Sequence, residues 1–160
     1  MSAKDVVAAA KARGLKITAA ESCTGGLVCA KITEIAGASA VFERGFVTYS
    51  NDVKHQVLNV SYSSLKDFGA VSEQVAAEMA RGARHAAGAD LAVAITGIAG
   101  PGGSDFKPEG RVCFAICDTN QKVYSETVEF GALGRSNVRN SASEHALWLV
   151  WRALMDLDAA

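Results

Sequence analysis

The chain has 160 residues, 49% of them apolar, and its 16 basic and 17 acidic side chains leave a formal charge of −1. That is enough apolar material for one compact domain over residues 1–160 with its own core. The charges are dispersed, with no basic run to track a nucleic-acid backbone; no apolar stretch reaches the roughly 18 to 20 residues of a membrane span, and the N-terminus lacks a signal layout. The expectation is a cytoplasmic protein with neither a nucleic-acid nor a membrane partner.

Lys4 to Arg13 is rich in Ala and Val at helical spacing and stops at Gly14, after which Leu15 to Ala20 reads as a short apolar strand. The strand runs straight into Glu21-Ser22-Cys23-Thr24-Gly25-Gly26, a turn that presents small polar side chains and glycines above a sheet. Gly25 to Ile35 carries Leu27, Val28, Ile32 and Ile35 about a helical turn apart, with Gly37 closing it. Phe42 to Tyr49 reads as a second strand, and Ser50 or Asn51 as the cap of a short helix carrying Val53, Lys54, Val57 and Leu58. Ser61 to Gly69 reads as a polar connector, and Ser72 as the N-cap of a long helix, Glu73 to Ala87, ended by Gly88.

Leu91 to Ile95 is an uninterrupted apolar run, the pattern of a strand covered on both faces. The next ten residues, Thr96 to Asp105, hold five glycines or prolines and are expected to be neither helix nor regular strand. Arg111 to Cys117 and Lys122 to Phe130 are strands joined by the hairpin turn Asp118-Thr119-Asn120-Gln121. Ser136 to Leu157 forms a last helix with Leu147, Val150, Trp151 and Leu154 on one face. Alternation of helices and strands with one hairpin predicts a three-layer α/β/α sandwich around a mixed, mostly parallel five-stranded sheet.

In such folds ligands bind beyond the carboxyl ends of the parallel strands. The Ser22 turn, the Tyr49-Ser50-Asn51 turn and the Thr96–Asp105 loop all follow strands at that edge. Main-chain N–H groups at the start of the helix after Ser22 suit a phosphate or an oxyanion, while a plain helix cap fits the stretch Ala19–Gly26 as well. A serine nucleophile needs a base, and Lys54, five residues beyond Tyr49, is placed for it if burial keeps its amine neutral. Read alone, Lys54 fits a solvated helix lysine better than a base, and His55, His85 and His145 all fall in helices. Cys23 is a rival nucleophile, but neighbours leaving a strand point in opposite directions, so only one of Ser22 and Cys23 faces the site. Cys23, Cys29, Cys113 and Cys117 lack Cys-x-x-Cys spacing and read as buried free thiols. The glycine loop is neither a P-loop nor a dinucleotide fingerprint, and no metal-ligand spacing occurs.

Together, Ala20-Glu21-Ser22-Cys23-Thr24-Gly25-Gly26, Tyr49-Ser50-Asn51 with Lys54, Gly69-Ala70-Val71-Ser72 and Thr96-Gly97-Ile98-Ala99-Gly100-Pro101-Gly102-Gly103 resemble the CinA C-terminal domain family over about residues 5–155. The family includes stand-alone nicotinamide-nucleotide amidases. The resemblance implies hydrolysis of the carboxamide of nicotinamide mononucleotide, without cofactor or metal, in pyridine-nucleotide salvage. It carries a Ser–Lys–Tyr arrangement onto Ser22, Lys54 and Tyr49. Cys23, Thr24, Gly25, Gly26, Asn51, Thr96, Gly97 and Gly100 then line the substrate site, and Arg135 or Arg139 holds ribose and phosphate or stays a solvated surface residue. The resemblance also suggests a homo-oligomer. The alternative is a catalytically silent ligand-binding or competence- and damage-related protein that keeps the same pocket.

Overall fold

The computed structural model describes residues 1–104 and 106–159, so Asp105, the last residue of the glycine loop, lies outside the described residues. In chain order the main elements are α1 (Ala3–Ala12), β1 (Ile17–Glu21), α2 (Leu27–Thr33), β2 (Phe46–Val47), α3 (Asn51–Leu58), α4 (Tyr62–Phe68), α5 (Glu73–Ala87), β3 (Leu91–Gly97), β4 (Arg111–Cys117), β5 (Val123–Glu129) and α6 (Arg135–Asp156). The sheet order is β2-β1-β3-β4-β5. β1 pairs in parallel with β2 and β3, whereas β3–β4 and β4–β5 are antiparallel. This is the mixed sheet expected of the alternating pattern.

Helices cover both faces, and alternation along each strand divides the core accordingly. Ile17 and Ala19 of β1, Val93 and Ile95 of β3 and Phe114 of β4 pack with α1, α2 and α6. Ala20, Ala92, Ala94, Cys113 and Ala115 point the other way, onto Leu58 of α3, Leu65 of α4 and Val75, Ala76 and Met79 of α5. Local chemistry sets the helix ends. Ser72 accepts the Val75 N–H at 3.2 Å to start α5, and Gly88 (φ 59°) ends it in the left-handed region. No helix among the described residues is long and apolar enough to cross a membrane.

Three segments differ from the pattern-based expectation. Phe42–Tyr49 is not one strand: Phe42 makes an isolated bridge to Ile17, and pairing resumes only at Phe46–Val47. Between them the Thr18 hydroxyl donates to the Arg44 carbonyl at 2.5 Å, so a side chain replaces the ladder there. Ser61–Gly69 is the helix α4 and not a connector, because Ser61 accepts the Ser64 N–H at 3.1 Å and Leu65 is buried against α5. Finally, β3 continues through Thr96 and Gly97, where the missing Cβ lets Val112 and the Arg111 carbonyl of β4 come close.

Candidate active site

β1, β2 and β3 are parallel, so the three turns that follow them lie at one edge of the sheet. Val47 and Ile95 both pair with Glu21, which puts the next residues, Thr48, Ser22 and Thr96, in one row across neighbouring strands. The ladder continues into that row through Thr48 N–H to Glu21 O at 2.8 Å and Ser22 N–H to Ile95 O at 3.0 Å. The row lies on the α3/α5 face, the face onto which Ala20 packs two residues earlier.

Over it stands Lys54. Ser50 caps α3 by accepting the Val53 N–H at 3.3 Å, and one turn into the helix the Lys54 side chain turns inward, only 1% exposed. Its Nζ lies 2.9 Å from Ser22 Oγ, 2.8 Å from the Thr48 carbonyl and 3.0 Å from the Tyr49 carbonyl. No carboxylate pairs with it among the described residues. Burial therefore lowers its pKa from 10.5 to about 8, against a smaller opposing pull from Cys23.

The three contacts constrain the proton. A neutral amine has two N–H donors and one lone pair; two carbonyls take the donors, so the lone pair is left for the Ser22 hydroxyl proton. Ser22, 8% exposed, keeps a small opening to the outside.

The turn after Ser22 is held from below by Glu21, which is fully buried (0% exposed) on the opposite face. Its Oε1 accepts the N–H groups of Gly26 at 3.2 Å and Val28 at 3.0 Å, and its Oε2 that of Cys29 at 3.0 Å. Leu27 N–H goes to Thr24 O and Gly25 N–H to Ser22 O. The expectation that α2 offers its N-terminus to a phosphate is thus corrected: the protein's own carboxylate fills it. Within the turn, the N–H of Cys23 and of Thr24 have no hydrogen-bond partner among the described residues. Of these two residues only Cys23 retains exposed surface. Gly25 and Gly26, with φ of 59° and 106°, supply the left-handed backbone the turn needs.

The Cys23 side chain points into the α1/α2/α6 core, and burial pushes its thiol up to about 11, which removes it as a nucleophile. All four cysteines are free, three buried and Cys29 half-buried. None of the three histidines serves Ser22: His55 Nδ1 meets the Val60 carbonyl at 2.8 Å, His145 pairs with Glu126, and His85 is exposed on α5.

The remaining candidates frame the site to different degrees. Arg139 Nε and Nη2 donate to the Cys23 and Thr24 carbonyls at 3.0 and 3.3 Å, tying the turn to α6. Arg135, exposed at the start of α6, donates to the Gly100 carbonyl at 2.7 Å and the Tyr49 hydroxyl at 3.1 Å. Tyr49 is 62% exposed, and it reaches Lys54 through its carbonyl, not its hydroxyl. Thr96 donates to the Ala70 carbonyl at 2.8 Å. Asn51 is exposed at the first turn of α3. Gly97 and Gly100 make room for Val112 and the Glu109 side chain. Thr24 Oγ1 and Thr48 Oγ1 are buried without a partner among the described residues, an uncommon state for a hydroxyl. Pattern reasoning missed Glu21 and Thr48; the only signal for Glu21 was a charged residue ending an apolar strand.

Residues 1–154 match the CinA C-terminal domain family. A protein of Enterobacter agglomerans named nicotinamide-nucleotide amidohydrolase PncC is 53% identical over 144 residues, covering 89% of this chain and 87% of that one. Its namesake in Escherichia coli K12 is 51% identical over 148 residues, covering 92% and 89%. Among solved structures, a CinA superfamily protein of Klebsiella pneumoniae superposes with a TM-score of 0.91 at 37% identity, covering 96% of each chain.

Proposed function

This chain belongs to the CinA C-terminal domain family, and we propose that it hydrolyses the carboxamide of nicotinamide mononucleotide to nicotinate mononucleotide and ammonia, with Ser22 as nucleophile and Lys54 as base. The observation that carries the reading is the 2.9 Å contact between a desolvated lysine amine and the serine hydroxyl. Identity above 50% to two proteins named nicotinamide-nucleotide amidohydrolase supports a nicotinamide nucleotide as the substrate.

In the first half-reaction Ser22 Oγ bonds to the carboxamide carbon as its proton passes to the Lys54 lone pair. The N–H of Cys23, the residue after the nucleophile, donates to the resulting oxyanion, a contribution of about 3 kcal/mol for a well-aimed donor. The carbon–nitrogen bond then breaks, and Lys54 returns the proton to the departing ammonia. In the second half a water molecule gives a proton to Lys54 as it attacks the acyl carbon, and Lys54 passes that proton to Ser22 Oγ as the ester bond breaks, restoring both groups.

Around this centre the exposed Tyr49 ring offers its face to the cationic pyridinium of the substrate. Its hydroxyl is not needed as a relay, because Lys54 touches Ser22 directly. Each arginine already makes two hydrogen bonds, but Arg135 is exposed and keeps donors free for the phosphate, whereas Arg139 is half-buried against the turn. Asn51 and the Gly97–Gly100 segment flank the ribose, with Gly25 and Gly26 forming the floor and the buried Thr24 and Thr96 supporting it from beneath. The test is to incubate the protein with nicotinamide mononucleotide and follow both products, with Ser22→Ala and Lys54→Met in parallel. Turnover lost in both variants is expected; a folded protein that binds the nucleotide without releasing ammonia would replace this reading by a silent binder.

A further inference from the structure

Glu21 is a fully buried carboxylate that no lysine, arginine or histidine pairs with among the described residues. Removing a charge from water is costly unless hydrogen bonds replace its hydration, and here three main-chain N–H groups of one short helix do so. As a cap for a seven-residue helix this is more than stability asks for, since an exposed Ser or Asp would serve. Its position suggests more. Glu21 is covalently joined to Ser22, sits on the opposite face of β1 from Lys54, and grips Gly26, Val28 and Cys29 on the far side of the turn.

The turn is therefore clamped at both ends. Its start is fixed to β3 by Ser22 N–H, its end to Glu21, and its outer carbonyls, those of Cys23 and Thr24, to Arg139. The Ser22 carbonyl, coplanar with the Cys23 N–H, is held by the Gly25 N–H at 3.1 Å, the two carbonyls drawn toward the arginine fix the next two peptides, and the clamp at Gly26 keeps the turn from unwinding into the first turn of α2. In that setting the Cys23 N–H is the donor next to the nucleophile that nothing in the protein claims.

We propose that Glu21 is a positioning residue for the amide hydrolysis: it fills the N-terminus of α2 so that no anion binds there, and it aims the Cys23 N–H at the oxyanion formed on the carbon attacked by Ser22. The inference rests on the serine-nucleophile part of the reading above but not on the identity of the amide. It predicts that loss of the carboxylate lowers the rate of bond-making at Ser22 while leaving substrate affinity and the titration of Lys54 in place.

Glu21→Gln preserves shape but sets its amide against the Cys29 N–H, donor to donor. With nicotinamide mononucleotide, kcat is expected to fall at least tenfold, KM to stay within about threefold, and the pH midpoint of kcat to stay near that of the parent. A variant that loses stability alone, with kcat per folded molecule unchanged, overturns the proposal. A fluorophosphonate probe makes the test independent of substrate: Ser22 Oγ bonds to phosphorus, the P–F bond breaks, and fluoride leaves with the serine proton. Labelling of the parent is expected to be at least tenfold faster than that of Glu21→Gln and absent in Ser22→Ala; equal rates, or a parent that does not label, overturn the proposal. Labelling without turnover of the nucleotide overturns only the substrate assignment. Should the Gln variant not fold, amide NMR of the parent decides: phosphonylation is expected to shift the Cys23 N–H and leave those of Gly26, Val28 and Cys29 in place, and a shift of the latter group instead overturns the proposal.

Discussion

Turnover is expected to rise about tenfold between pH 7 and pH 9, because a Lys54 with a pKa of about 8 is neutral in about 9% of molecules at the first pH and about 91% at the second. With Lys54 as the proposed base, the rate of serine attack is expected to follow that neutral fraction, since only the neutral amine has a lone pair to take the Ser22 proton. The substrate phosphate does not blur the profile, its second ionisation lying near about 6. Stability carries the same signature. The folded pKa lies below the ordinary 10.5 of the unfolded chain, so from about 8 to 10.5 the unfolded state holds a proton that the folded state does not. Folding is therefore favoured increasingly across that window, and the penalty for burying the ammonium, about 3 kcal/mol, is fully present below it. The assay pairs kcat with urea unfolding at half-unit pH steps from 7 to 10.5, in the parent and in Lys54→Met. In the variant kcat is expected to fall by roughly 10²- to 10⁴-fold, and the Lys54 part of the pH-dependent stability to vanish. A parent kcat that is flat from pH 7 to 9 would mean that the neutral fraction of Lys54 does not set the rate, and one that climbs about a hundredfold over that range toward a midpoint near 10.5 would mean a solvated lysine; either result refutes the argument.

Further outcomes follow from single contacts. Tyr49→Phe removes only the acceptor of an Arg135 bond, so kcat is expected to stay within about threefold of the parent; a larger loss in steady-state kinetics would restore the hydroxyl as a proton relay. Arg139→Ala frees two carbonyls of the turn, at a cost of about 2 kcal/mol and a melting point lower by about 5 °C, together with reduced kcat. Thr48→Val replaces an unpartnered buried hydroxyl by a methyl and is expected to stabilise the fold by about 1 kcal/mol in chemical denaturation. Gly82→Ala would put a Cβ 2.7 Å from the Leu58 carbonyl carbon and 3.0 Å from its Cα, where α5 crosses α3. A loss of about 1–3 kcal/mol is expected, with a fall in kcat because the displaced helix carries Lys54.

Much of this was legible along the chain because period and punctuation agreed. The helix predicted for Glu73–Ala87 has those same bounds, since Ser72 and Gly88 mark its ends and its apolar face packs on the sheet. Arg111–Cys117 likewise matches the predicted strand. Ser22, Tyr49 and Thr96 were brought to one edge by the rule that parallel strands end together, before any distance was known. What stayed hidden depended on side-chain direction. Nothing local distinguishes a lysine that turns under its helix from one that extends into water, so Lys54 on its own read as the commoner, solvated kind. Glu21 looked like the polar end of a strand, although its carboxylate runs beneath the turn to α2. Arg139 promised a phosphate ligand by its charge and position, but two main-chain carbonyls occupy it. The short β2 was obscured because the Thr18 hydroxyl takes a ladder acceptor from a segment whose composition is that of a strand.

The distribution of buried polarity bears on whether this edge binds or reacts. Six of the nine buried polar or charged residues among those described, Glu21, Ser22, Thr24, Thr48, Lys54 and Thr96, stand at this one sheet edge. Burying them costs stability, so a fold that gathers them in one place is answering a demand other than its own cohesion. Binding alone does not account for Lys54. At 1% exposure its amine offers a ligand almost no binding surface, and the one side chain it hydrogen-bonds is Ser22, itself barely open to the outside. An amine buried away from solvent, without an acidic partner and turned toward a hydroxyl, is placed for proton transfer at that hydroxyl and poorly placed to hold a ligand. Removing it from a binding site would raise stability and leave affinity untouched, whereas removing it from a hydrolase would abolish turnover at unchanged affinity. Nucleotide affinity, ammonia release and melting temperature measured together on Lys54→Met therefore separate the two by the sign of their joint response.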